Sequence, residues 1–470
     1  MLPLLLGLAA APLPVRAQDS TATAIRTVVT AARHPWSRYP EFPRFIDDLL
    51  RLYTARADQP LWLDGAGRLD RAGQAALAEL RNVRDDGLDP VDYDVPTLDS
   101  LARRLDPQAA NALTPADRGR FDALLSVAYV RYLGHLHAGR RPPAVPLGGP
   151  ELQGPRPDYA AALAAAVAGD SVARLARAMA PQLVQYRNLR LALARWRALA
   201  ADSAPLAPRV RQLELALERL RWLPPIGRQR FIVVNIPAFE LFAFDSTGGA
   251  GLPALQMPVI VGRALNTRTP MLLQAMRYID FRPYWNVPRS ILVKEILPAL
   301  RKNANYLRRN DMEVVGARDR VLGDTPTPAV LQGLERGELR VRQRPGPANS
   351  LGLAKFVFPN AADVYLHGTP NPGLFARTRR DFSHGCVRVF DPAGLAEWVL
   401  RDQPGWSRAR IDSAMAGKTT TRVLLSKPMP VVVFYTTAVV WPDGRTVFYP
   451  DIYGHDATLD RAMRAGPTVP

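Results

Sequence analysis

The feature that most restricts the fold of this chain is a change of apolar periodicity at Pro224. Before it, apolar residues recur at helical spacing. Phe121, Leu124, Leu125, Ala128, Tyr132, Leu133 and Leu136 form one such stripe, and Gly139 and Pro142 supply its stop. Pro181 opens another, carried by Leu183, Tyr186, Leu189, Leu193 and Trp196, and a third helix is expected over Val210 to Leu223. After Pro224 the apolar residues fall into short β-branched and aromatic runs. These are Phe231 to Ile236, Phe239 to Phe244, Met257 to Val261, Met276 to Phe281, Asp363 to Leu366, Thr421 to Leu425, Val431 to Val440 and Thr446 to Tyr449. Pro442-Asp443-Gly444 is a turn between the last two. Two helices interrupt the strands, one N-capped by Ser290 and one by Asp391 with Pro392 at its first position. The expected class is α+β, with a signal segment over 1–17, a helical region over 18–200, a linker and helix over 201–225, a β-rich domain over 226–455 and a tail over 456–470. Arg308 to Ser350 is poorly patterned and rich in Gly and Pro. It reads as part of a long loop, a lid over about 288–350.

Composition narrows the function classes. Hydrophobic residues make up 47% and charged residues 22%, which excludes a wholly disordered chain. Net charge is +18, and nearly all of the 61 basic residues are arginine. Genome bias accounts for such an excess, and so does attraction to a polyanion. No basic run interleaves with aromatics, so a nucleic-acid partner is not expected. Leu2 to Leu13 is apolar and ends at Val15-Arg16-Ala17, as a secretory signal peptide does, although a basic start is missing. No later stretch reaches the roughly 18 apolar residues of a membrane span, so an exported protein without a transmembrane segment is expected.

The chain has one cysteine, Cys386, so no internal disulfide can form. Around it the sequence concentrates reactive groups: Tyr365-Leu366-His367-Gly368-Thr369, then Ser383-His384-Gly385-Cys386-Val387-Arg388. A thiol needs a nearby base or cation to act as a nucleophile near neutral pH, and His367 can supply it. Gly385 permits a tight turn whose amides converge on an oxyanion. Arg388 can hold a carboxylate. Two other readings stay open, a zinc site built from Asp363, His367, His384 and Cys386, and a structural thiol among packed histidines. His135 and His137, two apart on a helix, read as packing residues, and Asp85-Asp86-Gly87-Leu88-Asp89 reads as a turn rather than a calcium loop.

His367, fifteen intervening residues and then Ser383-His384-Gly385-Cys386 resemble the signature of the L,D-transpeptidase (YkuD-type) catalytic domain. Phe281 to Ile291, Lys294 to Pro298, Arg344 to Pro347, Asn349 to Gly352 and Phe358 to Asn360 are similar to segments of the large, YcbB-like members. Pro60-Leu61-Trp62 and Asp86 to Pro90 resemble their scaffold region. The resemblance implies a periplasmic enzyme acting on donor and acceptor stem peptides of peptidoglycan, with no metal or organic cofactor. It implies Cys386 as nucleophile and His367 as its base. The amides of Gly385 and Cys386 would form the oxyanion hole, His384 and Ser383 would shape the site, and Arg388 and Gly368 would contact substrate. Large members usually carry a peptidoglycan-binding module between the two helices before the catalytic domain. Here only Ala201 to Pro208 separates those helices.

Overall fold

Asp122, fully buried, shows how the helical part is held together. Its carboxylate accepts the Tyr53 hydroxyl at 2.6 Å and the Leu61 and Trp62 amides at 3.0 and 2.8 Å, while Trp62 Nε1 donates to Ser126 at 2.8 Å. The Pro60-Leu61-Trp62 segment is thereby fixed to the helix Pro115–Ala138, which Thr114 caps by accepting the Asp117 amide at 3.1 Å. This helix is buried on every face over most of its length, wider than the stripe its periodicity shows. The structure, a computed structural model, describes residues 15–143, 147–148, 154–226, 229–246 and 251–466. The first fourteen residues of the expected signal segment lie outside it, and Val15–Thr30 is helical.

Contacts divide the chain into two units, one running to Pro225 and resuming at Thr436, the other spanning Ile226–Tyr435. The helices of the first unit up to Val172–Met179 pack around one apolar core, beside which Asp86 is a structural hub, and Leu215, Leu459 and Met463 form a smaller second cluster. That carboxylate accepts the Tyr132 and Tyr186 hydroxyls, both at 3.0 Å, and pairs with Arg190 at 2.8 Å. His135 is buried against the Tyr93 hydroxyl at 2.8 Å. The helices Val184–Ala201 and Ala207–Leu220 are joined by a single short turn, Ala204–Leu206. The reading that carries the β-rich domain through residue 455 differs from the structure here. The hairpin Ala438–Val440 and Thr446–Phe448 and the helix His455–Arg464 belong to the helical unit, where Arg211 holds Asp460 at 2.5 Å.

The second unit is built on one nine-stranded sheet. Its strands are β1 (Phe231–Asn235), β2 (Glu240–Phe244), β3 (Leu255–Gly262), β4 (Leu272–Phe281), then after an insertion β9 (Ala354–Val357), β10 (Leu366–His367), β11 (Asp381–Ser383), β12 (Val387–Val389) and β13 (Thr421–Phe434). The order is β11-β3-β12-β10-β9-β4-β13-β1-β2, and the pairing of β2 with β3 closes the sheet on itself. Two runs expected as separate strands form the single β13. Its pairing with β4 is interrupted between Leu424 and Met429, where Pro428 can donate no ladder hydrogen bond.

The insertion is the largest difference from the sequence reading. It is a folded subdomain rather than a loop, with a four-stranded sheet ordered β5-β8-β6-β7 from β5 (Trp285–Asn286), β6 (Met312–Val315), β7 (Val321–Gly323) and β8 (Arg340–Gln343). Val287, Leu292, Leu300, Leu307, Val314 and Val341 give it a core of its own. Its strands are three or four residues at most, and Arg340 and Arg342 flank Val341, so no run is long enough to show alternation. Glu313, 5% exposed, holds Arg342 and Arg344 at 2.7 and 2.8 Å and ties two of these strands together.

Candidate active site

Cys386 sits on the turn between β11 and β12, both of which pair with β3. The turn needs Gly385, whose φ of +121° is open to almost no other residue. Ser383 is buried and staples the turn, donating to the Cys386 carbonyl at 2.5 Å and accepting the Gly385 amide at 3.1 Å. Two threonines brace it from the β3–β4 connection. Thr267 donates to the Ser383 carbonyl at 2.9 Å and Thr269 to the Gly385 carbonyl at 2.8 Å. This amends the expectation for the oxyanion amides. The Gly385 N–H is already spent inside the turn, which leaves the Cys386 N–H as the amide offered here.

His367 ends β10, which runs parallel to β12 with Leu366 opposite Val387 and His367 opposite Arg388. Side chains alternate along a strand, so Tyr365 and His367 share the face of the sheet that carries Arg388. The Lys355 side chain joins them from β9, which pairs antiparallel with β10. His367 is 4% exposed, and its Nδ1 donates to the carbonyl of Gly368 at 2.6 Å. That bond assigns the ring proton to Nδ1 and leaves Nε2 as the acceptor nitrogen. Gly368 thus orients the imidazole through its backbone. Burial first, then the Arg388 guanidinium, pushes the His367 pKa down to about 3, so the ring is neutral at physiological pH.

The half-buried thiol lies 3.7 Å from the carbonyl of Asp363, with Tyr365 as its other hydrogen-bonding neighbour; no thiol–imidazole hydrogen bond is formed in this state. Burial raises the thiol's pKa above the ordinary value, while Tyr365 and the Lys355 ammonium oppose that rise. Lys355 Nζ stands 3.8 Å from the centre of the Tyr365 ring. The site is therefore a neutral thiol near a neutral imidazole, with Lys355 poised to stabilise a thiolate as it develops. Arg388 is largely buried, its Nε has no hydrogen-bond partner among the described residues, and Arg263 lies close enough to depress its pKa further. The two guanidiniums give this end of the site a positive field that suits a substrate carboxylate.

His384 is directed toward the inserted subdomain. Its Nε2 is 2.7 Å from Glu295 Oε1, and Glu295 lies on the single π-turn Leu292–Ile296 of the inserted subdomain. With His367 Nδ1 held by Gly368 and His384 Nε2 held by Glu295, the set proposed for zinc is directed elsewhere. Among the described residues no group of three or more His, Cys, Asp and Glu side chains converges as metal ligands. Sequence reasoning passed over Lys355, Tyr365 and Glu295 as site residues. Lys355 carried a signal, since lysines are scarce here and this one lies within a strand.

A closed sheet presenting a cysteine at a glycine turn, with an imidazole on the neighbouring strand, fits an enzyme of the transpeptidase type. Residues 229–446 match the family described as the L,D-transpeptidase catalytic domain, and residues 47–193 match the Scaffold domain. The chain belongs to the L,D-transpeptidase family in its YcbB-like architecture, a Scaffold domain followed by a YkuD catalytic domain. It is also similar to a Haemophilus influenzae protein named "Putative L,D-transpeptidase", with 28% identity over 418 residues, covering 88% of this chain and 79% of that protein.

Proposed function

We propose that this protein is an exported peptidoglycan L,D-transpeptidase that forms 3-3 crosslinks between stem peptides through a thioester on Cys386. The observation that carries the reading is the Nδ1 bond of His367 to Gly368 on the strand beside Cys386, because it leaves Nε2 able to accept a proton. The raised thiol and lowered imidazole pKa values favour proton transfer in step with attack over a resident ion pair. Nε2 takes the thiol proton as Sγ bonds to the carbonyl carbon of the third residue of a donor stem. The Cys386 amide and Lys355 offset the developing negative charge. Collapse breaks the peptide bond, and the imidazolium passes its proton to the departing terminal amine. The side-chain amine of a second stem then attacks the thioester and gives up a proton through Nε2 to the leaving thiolate. Arg388 and Arg263 would hold a stem carboxylate.

A hydrolase would use the same thioester with water as acceptor. Export fits the apolar N-terminus, and among the described residues no helix is long and apolar enough to cross a membrane. Mass analysis of muropeptides after incubation with the purified enzyme tests the proposal. Crosslinked dimers joined through two third-position residues are expected, and shortened monomers alone would assign the enzyme to hydrolysis.

A further inference from the structure

The helical unit contains a cleft of ≈ 560 Å³ that no step above uses. Six arginines reach it, Arg38, Arg84, Arg140, Arg197, Arg211 and Arg464, against three carboxylates, Asp89, Asp92 and Glu214. The carboxylates are already engaged. Glu214 binds Arg197 and Arg211, both at 2.7 Å, Asp92 binds Arg140 at 2.8 Å and the Tyr39 hydroxyl at 2.9 Å, and Asp89 accepts the Val91 amide at 3.1 Å. Arg38 and Arg84 are exposed and have no carboxylate within ion-pair distance among the described residues. Arg140 is only 7% exposed, and its buried Nε has no hydrogen-bond partner among the described residues. A buried guanidinium N–H without an acceptor is a group that a ligand oxygen would satisfy.

We propose that this cleft binds a peptide bearing several free carboxylates. Forked guanidinium groups match carboxylate geometry. Phosphate shares that chemistry, but the interspersed Asp89, Asp92 and Glu214 disfavour a compact multivalent anion. Leu88, Val91 and Met463 supply apolar wall for its backbone. On the function proposed above, the natural ligand is a stem peptide, which carries carboxylates and an amine together. A second attachment point on the same chain raises the local concentration of polymer for the thiol. It would also give the excess of arginine a specific place to act.

The probe is fluorescein-labelled tetraglutamate, read by anisotropy with the full-length protein. The double variant Arg38→Glu with Arg84→Glu should bind it about tenfold more weakly, since two attractive charges become repulsive. Neither substitution removes an ion pair, and the Arg84 carbonyl that Arg197 uses is retained. The control, Arg174→Glu with Arg187→Glu, makes the same charge change at exposed positions of the same unit outside the cleft, and should cost less than about twofold. Equal losses in both pairs, or no loss in the first, would overturn the proposal. Displacement by pyrophosphate at lower concentration than by citrate would overturn the assignment to carboxylates. Acylation of Cys386 by a carbapenem, followed in the same variants, should stay at the wild-type rate. Loss of acylation in the wild type with tetraglutamate binding intact would count against the catalytic reading and leave the cleft standing.

Discussion

His384 Nε2 and Glu295 Oε1 lie 2.7 Å apart, so the residue two before Cys386 is tied to the first turns of the inserted subdomain. The two side chains are 32% and 51% exposed, and such pairs contribute about 1 kcal/mol or less to stability. Their consequence should therefore lie in positioning. A π-turn at this point is a common mark of a functional segment. Glu295→Ala should lower kcat/KM for a stem-peptide donor about tenfold, with a thermal midpoint close to wild type. Unchanged kcat/KM would remove the subdomain from the account of the site.

The protonation states make a second prediction. His367, with its pKa lowered to about 3, stays neutral throughout the neutral range, and the Cys386 thiol stays protonated because burial raises its pKa. Alkylation of Cys386 by iodoacetamide should accordingly be slow at pH 7. It should climb with an apparent pKa above the ordinary thiol value of about 8.5. A plateau reached below pH 7 would indicate a resident thiolate and contradict the neutral pair.

The linkage sign for His367 is also testable. Its folded pKa is depressed below the unfolded value near 6.5, so the folded state binds the proton less readily. Its contribution to stability is present above the unfolded value and lost as pH falls from about 6.5 toward 3. His367→Gln should flatten that part of the stability–pH curve, measured by urea unfolding at successive pH values. An unchanged slope would place the titration elsewhere.

Much of this arrangement was legible in the sequence because it rests on local chemistry. Asp391 does cap the helix Pro392–Leu400, accepting the Gly394 amide at 2.9 Å, and the glycine turn at Gly385 does carry the cysteine. What stayed hidden depends on tertiary context. Ser383 acts as a staple through bonds to both Gly385 and Cys386, a role that residue type alone does not reveal. Lys355 and His367 meet because β9 and β10 pair, although twelve positions separate them. The inserted subdomain escaped because strands such as Val321–Gly323 are too short for a period of two to register.

The scaffold network predicts a stability effect far from chemistry. Asp122→Ala would leave the Leu61 and Trp62 amides buried without their acceptor, and the Tyr53 hydroxyl with Ser126 as its one remaining partner among these groups. Each such group costs about 1–3 kcal/mol, so a loss on the order of 3–5 kcal/mol is expected in denaturant unfolding. A loss below about 1 kcal/mol would mean that these groups find other partners.

The most direct test is the intact mass of the protein after brief exposure to a tetrapeptide donor without acceptor. A single adduct with the mass of the tripeptide acyl group on Cys386 is expected, together with release of the terminal residue. The adduct should be absent in Cys386→Ser and strongly slowed in His367→Ala. Release of the terminal residue at an undiminished rate by Cys386→Ser, or an adduct located on another residue, would contradict it.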